Sequence, residues 1–194
     1  MPPPCARCPE TPGWWFLRGW VGGSGGGISP MSLSWTGGSR CTSALRGVVR
    51  AAHHWSRRGI FDHCATLWGG WILTVPGGLR VYHAGDSAYG PVFAEIGCRY
   101  PDIDVAMVPV GAYAPRWFMQ TMHMDPEEAV QAIQDLGARI IVPMHWGTFL
   151  LSREPALEPI ERTRAAWADT DRARTDLWDL AVGESRSFRT ATQA

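Results

Sequence analysis

Three short apolar runs in this chain of 194 residues each end in residues able to bind a metal. Arg139-Ile140-Ile141-Val142-Pro143-Met144 leads into His145-Trp146-Gly147-Thr148-Phe149. Val48-Val49-Arg50-Ala51-Ala52 leads into His53-His54-Trp55, and Leu79-Arg80-Val81-Tyr82-His83-Ala84 leads into Gly85-Asp86-Ser87. Short β-branched runs bounded by Gly or Pro predict buried strands, and α/β proteins place their chemistry at strand ends. Neutral imidazoles and a carboxylate suit zinc, and the two carboxylate oxygens can bridge two ions. Ions about 3.5–4 Å apart activate a water between them and polarise a phosphoryl or carbonyl oxygen, which is hydrolytic chemistry. Singly, each residue has a plainer role: a histidine near a strand end is commonly a hydrogen-bonded structural group, and Gly-Asp is commonly a turn. Recurrence at three strand ends is what points to a metal.

The elements that must position these residues can be read from Val48 onward. Trp71 to Val75 and Leu79 to Tyr82 flank Pro76-Gly77-Gly78, which predicts a hairpin. Pro91 to Ile96 predicts a short helix stopped by Gly97. Asp104 to Pro109 is the next strand, with Val110 to Tyr113 as a loop at its C-terminal end. Asp125-Pro126-Glu127-Glu128 joins an N-cap acid to Pro at the first helical position and an acid three residues past the cap, so a helix begins there and Gly137 stops it. Leu157, Ile160, Arg164 and Trp167 mark an amphipathic helix. Leu177 to Leu180 with Arg186 to Phe188 predicts a final hairpin. Alternating strands and helices indicate an α/β layer.

Composition narrows the classes. One domain of ordinary apolar content is expected. All 18 basic side chains are arginine, a mark of GC-rich coding, and the formal net charge is zero. That balance argues against a nucleic-acid partner held through phosphates. No run approaches the ~20 apolar residues of a membrane span, and the N-terminus lacks an apolar signal-peptide core. The 5 cysteines, at 5, 8, 41, 64 and 98, do not resemble a disulfide framework, so a reducing, cytoplasmic setting is the simpler expectation.

Residues 1–47 differ from the rest. Pro, Gly, Ser, Trp and Cys crowd there and Glu10 is the only acid. Neither structural period can be traced, which predicts a low-complexity, disordered segment. A GC-rich gene read in a shifted frame would yield the same bias. Cys5-Ala6-Arg7-Cys8 lacks the second pair a zinc ribbon needs, and Trp14, Trp15, Trp20 and Trp35 lack the spacing of an interfacial helix.

His54-Trp55-Ser56-Arg57-Arg58, Leu67-Trp68-Gly69-Gly70-Trp71, Ala84-Gly85-Asp86-Ser87-Ala88-Tyr89, Pro109 to Met119, His123-Met124-Asp125-Pro126-Glu127-Glu128-Ala129 and His145-Trp146-Gly147-Thr148-Phe149 carry a family pattern. In this order they resemble the metallo-β-lactamase superfamily, and within it the branch of N-acyl-phosphatidylethanolamine-hydrolysing phospholipase D. The resemblance runs from about Val48 to about Pro159. It implies a zinc-dependent phosphodiester hydrolase acting on a phospholipid, with peripheral membrane contact compatible. By position, His54 matches a ligand of the first zinc site, Asp86 the bridging catalytic carboxylate and His145 a ligand of the second. His123 matches a histidine near the substrate head group, and Tyr113, Arg116, Trp117, Phe118 and Met119 lie where that branch lines its cleft. His53, His63 and His83 receive no role, and Ser87 replaces the commoner threonine.

The superfamily's His-x-His-x-Asp-His motif should lie upstream of His54, and no histidine precedes His53. The resemblance therefore implies an α/β fold corresponding to the C-terminal half of the αββα sandwich, over residues 48–190. One sheet face is expected to be bare, to be covered by a missing N-terminal half or by dimerisation. One or two zinc ions would bind weakly. A non-catalytic remnant or docking module is the reading from another class, and a lactonase or ribonuclease-type member is the alternative within enzymes.

Overall fold

A computed structural model describes residues 31–32, 46–50, 52–57, 59–64, 68–75 and 78–187. Its strands are β1 (Met31–Ser32), β2 (Arg46–Arg50), β3 (Gly70–Thr74), β4 (Arg80–His83), β5 (Val105–Pro109) and β6 (Ile140–Met144). The helices are α1 (Val92–Arg99), α2 (Arg116–Met119), α3 (Pro126–Leu136) and α4 (Glu158–Ala168). Of residues 1–47, only β1 and the start of β2 are among the described residues; the Cys5–Cys8 pair and the upstream tryptophans lie outside them.

The six strands form one sheet in chain order. β2–β3 and β3–β4 pair antiparallel, while β4–β5 and β5–β6 pair parallel. Hence β2, β4, β5 and β6 all run in one direction and deliver their C-terminal ends to the same sheet edge. Register fixes the two faces. Ile72, Tyr82, Ala106 and Ile141 lie opposite one another across four strands and are fully buried in one core with Phe93, Ile133 and Trp167. The adjacent row, Trp71, His83, Met107 and Val142, points to the other face by strand alternation, and each of its members is only half-buried.

Local chemistry explains the helix ends. The Asp125 carboxylate accepts from the Glu128 amide, and the Glu128 carboxylate accepts from the Asp125 amide, closing the capping box foreseen in the sequence. Gly137 ends α3 in the left-handed region at φ 65°. α4 buries Ile160 and Trp167 but leaves Leu157 exposed, and turns Arg164 outward onto Asp179.

Two expectations are corrected. Gly97 does not stop α1, which continues to Arg99. A Cβ at Gly97 would lie 2.7 Å from the carbonyl oxygens of Asp135 and Leu136, so this glycine is an interhelical contact rather than a terminator. The C-terminal hairpin is also absent among the described residues. Arg174–Asp176 forms a 3-10 turn, after which buried Leu177 makes a single parallel bridge to Ile141 on the outer side of β6. Burying that leucine against the open edge replaces the hairpin; Phe188 lies outside the described residues.

Candidate metal centre

The common strand direction brings His54, Asp86 and His145 to one edge, and His123 joins them. His145 Nε2 lies 3.5 Å from Asp86 Oδ1. The His123 ring sits 5.1 Å from that of His54 and 5.5 Å from that of His145, centroid to centroid. Trp55 stacks on His54, and His63 stacks on Trp55, so a row of rings extends outward from the cluster.

Backbone devices hold each member. The His53 amide donates to Ser87 Oγ at 2.9 Å and the Ala88 amide to the His53 carbonyl at 2.8 Å, tying the His54 segment to the Asp86 loop. Ser87 is almost completely buried there and donates to the Ala88 carbonyl, so the hydroxyl is structural. Gly85, at φ 67°, turns the chain before Asp86, and its amide donates to His83 Nδ1 at 3.0 Å. His145 itself sits at φ 65°, a conformation uncommon for a residue with a Cβ. That turn presses its carbonyl against Gly111, where a Cβ would come within 2.1 Å.

The donors fit a metal in kind and in pairwise spacing. His54 Nδ1 lies 2.8 Å from the Trp55 carbonyl, which can only accept, so in the neutral tautomer Nδ1 carries the proton and Nε2 is the atom able to bind a metal. Two ligands on one tetrahedral zinc, with bonds near 2.0–2.1 Å, stand about 3.3–3.4 Å apart, close to the His145–Asp86 separation. The Nδ1 atoms of His123 and His145 are buried with no hydrogen-bond partner among the described residues. The donors fall short in number: among the described residues, no group of three or more His, Cys, Asp or Glu side chains is arranged to hold one ion.

Burial pushes the His123 imidazole down to about 4, with His54 and His145 adding to the effect and Asp86 and Glu154 opposing it. Between pH 6.5 and about 4 such a group binds fewer protons folded than unfolded. Its contribution to stability is therefore complete above pH 6.5 and is lost as pH falls toward 4. With metal removed by chelator, Tm is expected to fall across this window, and His123→Gln to flatten that part of the profile. Parallel profiles for parent and variant would show that burial of His123 does not govern the acid limb.

The remaining candidates divide. Trp117 and Phe118 on α2 are 78% and 54% exposed, and Met119 is partly exposed, so their apolar surface is open. Tyr113 is buried; its hydroxyl donates to Glu158 Oε1 at 2.6 Å and Arg162 covers its ring. Arg116 bonds the His123 carbonyl, Asp125 and Glu128, bracing the cap of α3 against the His123 turn. Both side chains are committed to holding the loops in place. Glu154 had no signal in the sequence. Its carboxylate accepts from the Ala112 and Ala114 amides, fixing the loop after β5; burial raises the group, but hydrogen bonds from Ser152 and from backbone amides, these two among them, outweigh it and hold the group below the usual carboxylate range. Its backbone partners lie 40 and 42 residues away, beyond any local pattern.

Comparison with known proteins agrees with this architecture. The family described as the beta-lactamase superfamily domain matches residues 21–146, reaching upstream of Val48. An uncharacterized protein of Mycobacterium tuberculosis is 37% identical over 139 residues, covering 70% of this chain and 36% of the relative. N-acyl-phosphatidylethanolamine-hydrolyzing phospholipase D 1 of Caenorhabditis elegans is 37% identical over 132 residues, covering 67% and 36%. The chain thus spans about a third of the length of these curated relatives. Among solved structures, Igni18, a metallo hydrolase from Ignicoccus hospitalis, superposes with a TM-score of 0.54 at 27% identity, over 75% of this chain and 54% of that one. With more than half of its residues matched by one family, this chain belongs to the beta-lactamase superfamily.

Proposed function

We propose that this chain is the C-terminal part of a zinc-dependent hydrolase that cleaves a phosphodiester in a lipid of the N-acyl-phosphatidylethanolamine type. The observation that carries the reading is the gathering of His54, Asp86, His123 and His145 at one sheet edge, a single turn of chain from the open apolar surface of α2. His54 Nε2, Asp86 and His145 Nε2 would hold the metal. When bound, zinc supplies a Lewis acid for the phosphoryl oxygen and lowers the pKa of water. Held neutral, His123 can accept or donate a hydrogen bond at the head group without adding charge. Trp117, Phe118 and Met119 would receive an acyl chain. Asp86, with one oxygen 3.5 Å from His145 Nε2, would contribute the carboxylate of that set.

The shortage of donors favours a companion reading in which the chain does not turn over alone. The decisive assay supplies an upstream segment carrying His-x-His-x-Asp-His in trans, with N-acyl-phosphatidylethanolamine and a short soluble phosphodiester as substrates. Hydrolysis of both is expected. Trp117→Ser should raise KM for the lipid about tenfold, as loss of a partly buried aromatic contact would, and leave the short substrate's KM unchanged. Lactone opening without phosphodiester cleavage would transfer the site to the lactonase reading.

A further inference from the structure

We infer that His83 is a positioning residue for Asp86: its imidazole, by accepting the Gly85 amide, sets the turn that carries the carboxylate to the metal centre. The inference rests on the proposed function only for what Asp86 does there; the bond and the turn stand without a metal. Asp86 is exposed, so its carboxylate stands where its backbone puts it. On the far side of Asp86 the chain is tied down. Ser87 Oγ accepts from the His53 amide at 2.9 Å, the Ser87 carbonyl accepts from the Met124 amide at 3.2 Å, and the Ala88 amide donates to the His53 carbonyl at 2.8 Å. On the near side the Ala84 amide donates to the Met107 carbonyl at 2.9 Å, which extends the β4–β5 pairing past the end of β4. Between these anchored ends lies Gly85.

That residue is the soft joint of the segment. It sits at φ 67°, and a Cβ there would lie 2.9 Å from the Gly69 carbonyl oxygen, so only glycine fits and no side chain of its own stiffens the turn. His83 supplies the stiffness. Its Nδ1 accepts from the Gly85 amide at 3.0 Å, closing the ring that an Asn or Asp side chain makes with the amide two residues on. An aspartate in this place would set a second negative charge close to Asp86 in the chain; a neutral imidazole binds the amide without one. Because an amide nitrogen can only donate, the neutral tautomer of His83 carries its proton on Nε2. His54 is sorted the other way, with Nδ1 on a carbonyl and Nε2 able to bind a metal. The backbone therefore assigns one imidazole to the ion and the other to the turn. Strand alternation places the His83 ring on the open face, half-buried between Trp71 of β3 and Met107 of β5. A packing role there would need the shape of the ring and not its nitrogen, and that difference is measurable.

Nuclear magnetic resonance of the isotopically labelled full chain tests the inference with His83→Leu, His83→Asn and His83→Gln. In the parent a nitrogen–nitrogen coupling is expected across the bond from the Gly85 amide to His83 Nδ1, with the proton of His83 on Nε2. Leucine keeps the apolar bulk and loses the acceptor. The Gly85 amide should then exchange with solvent at least about tenfold faster, and the residual dipolar couplings of Gly85 and Asp86 should change while those of β5 and β6 do not. The zinc concentration needed to shift the His145 resonances should rise about tenfold, the lower end of what outer partners of a metal site contribute. Asparagine places its oxygen where Nδ1 stood and should restore exchange, orientation and zinc response; glutamine carries its amide one carbon farther and should not. Should the leucine variant misfold, the asparagine and glutamine pair is read alone. The inference is overturned if the coupling is missing in the parent, if the leucine variant keeps the parent's exchange and orientations, or if asparagine comes no closer to the parent than glutamine. A parent in which zinc shifts no resonance would sink the metal reading, and the exchange and orientation of Gly85 and Asp86 would then decide this inference by themselves.

Discussion

Zinc titrated into this chain alone is expected to bind weakly, with an affinity at least about two orders of magnitude below that of the chain supplied with an upstream His-x-His-x-Asp-His segment. The magnitude follows from ligand count: loss of outer-shell partners alone typically costs about 10–100-fold in affinity, and here direct ligands are in question. His54, Asp86 and His145 bring correct donor types, and the His145–Asp86 spacing fits one ion, yet no three donors are arranged around a point among the described residues. Calorimetry with and without the segment measures the difference. Phosphodiester turnover by the isolated chain should match an Asp86→Ala control. Stoichiometric tight zinc in the chain alone, abolished by Asp86→Ala, would mean that other side chains complete the set and that no upstream ligands are needed.

Gly111→Ala is expected to destabilise the fold and the centre together. The added Cβ would stand 2.1 Å from the His145 carbonyl oxygen, a backbone atom with no rotamer through which to escape. Either the loop after β5 or the turn at His145 must move. The loop is held by the Val110 amide on the Met144 carbonyl and by Glu154 on Ala112, so the strained His145 turn is the part free to yield. Overpacking of this kind costs about 1–3 kcal/mol, equivalent to a fall in Tm of about 3–10 °C for a domain of this size. Zinc affinity in the completed protein should drop as well, because His145 Nε2 would leave its place beside Asp86. An alanine variant that melts and binds metal like the parent would show that the approach is relieved without moving His145.

What the sequence disclosed and what it withheld follow from how far each signal reaches. The capping box at Asp125 and Glu128 and the stop at Gly137 are contacts within four residues, so residue type and spacing specify them. The strands before His54, Asp86 and His145 announce themselves by composition. Their meeting depended only on the relative direction of β2, β4 and β6, which the antiparallel pairings through β3 and the parallel crossovers to β5 and β6 set. Gly97 misled because its role is set by α3, whose last turn passes where a side chain would stand; a glycine within a helix and one that ends it look alike in the sequence. The final hairpin failed because Leu177 buries itself against Ile141, a tertiary preference that leaves no mark near residue 177. Glu154 and the structural duties of Tyr113 and Arg116 were hidden because charged and aromatic residues near a cleft carry the same letters whether they meet a substrate or brace a loop.

The strand that delivers His54 has little company. β2 is held by β3 along five residues and by β1 along two, whereas β4, β5 and β6 lie over the helix-packed core. Any ligand spanning His54 and His145 would act as a clasp, fastening an outer hairpin to the centre of the sheet. By reciprocity, the fraction of time that hairpin spends detached is subtracted directly from the ligand's apparent affinity. Occupancy of the centre would then report on the integrity of the sheet as much as on the basicity of its imidazoles. Substitutions in β2, far from any donor atom, would pass for ligand mutations in a binding experiment.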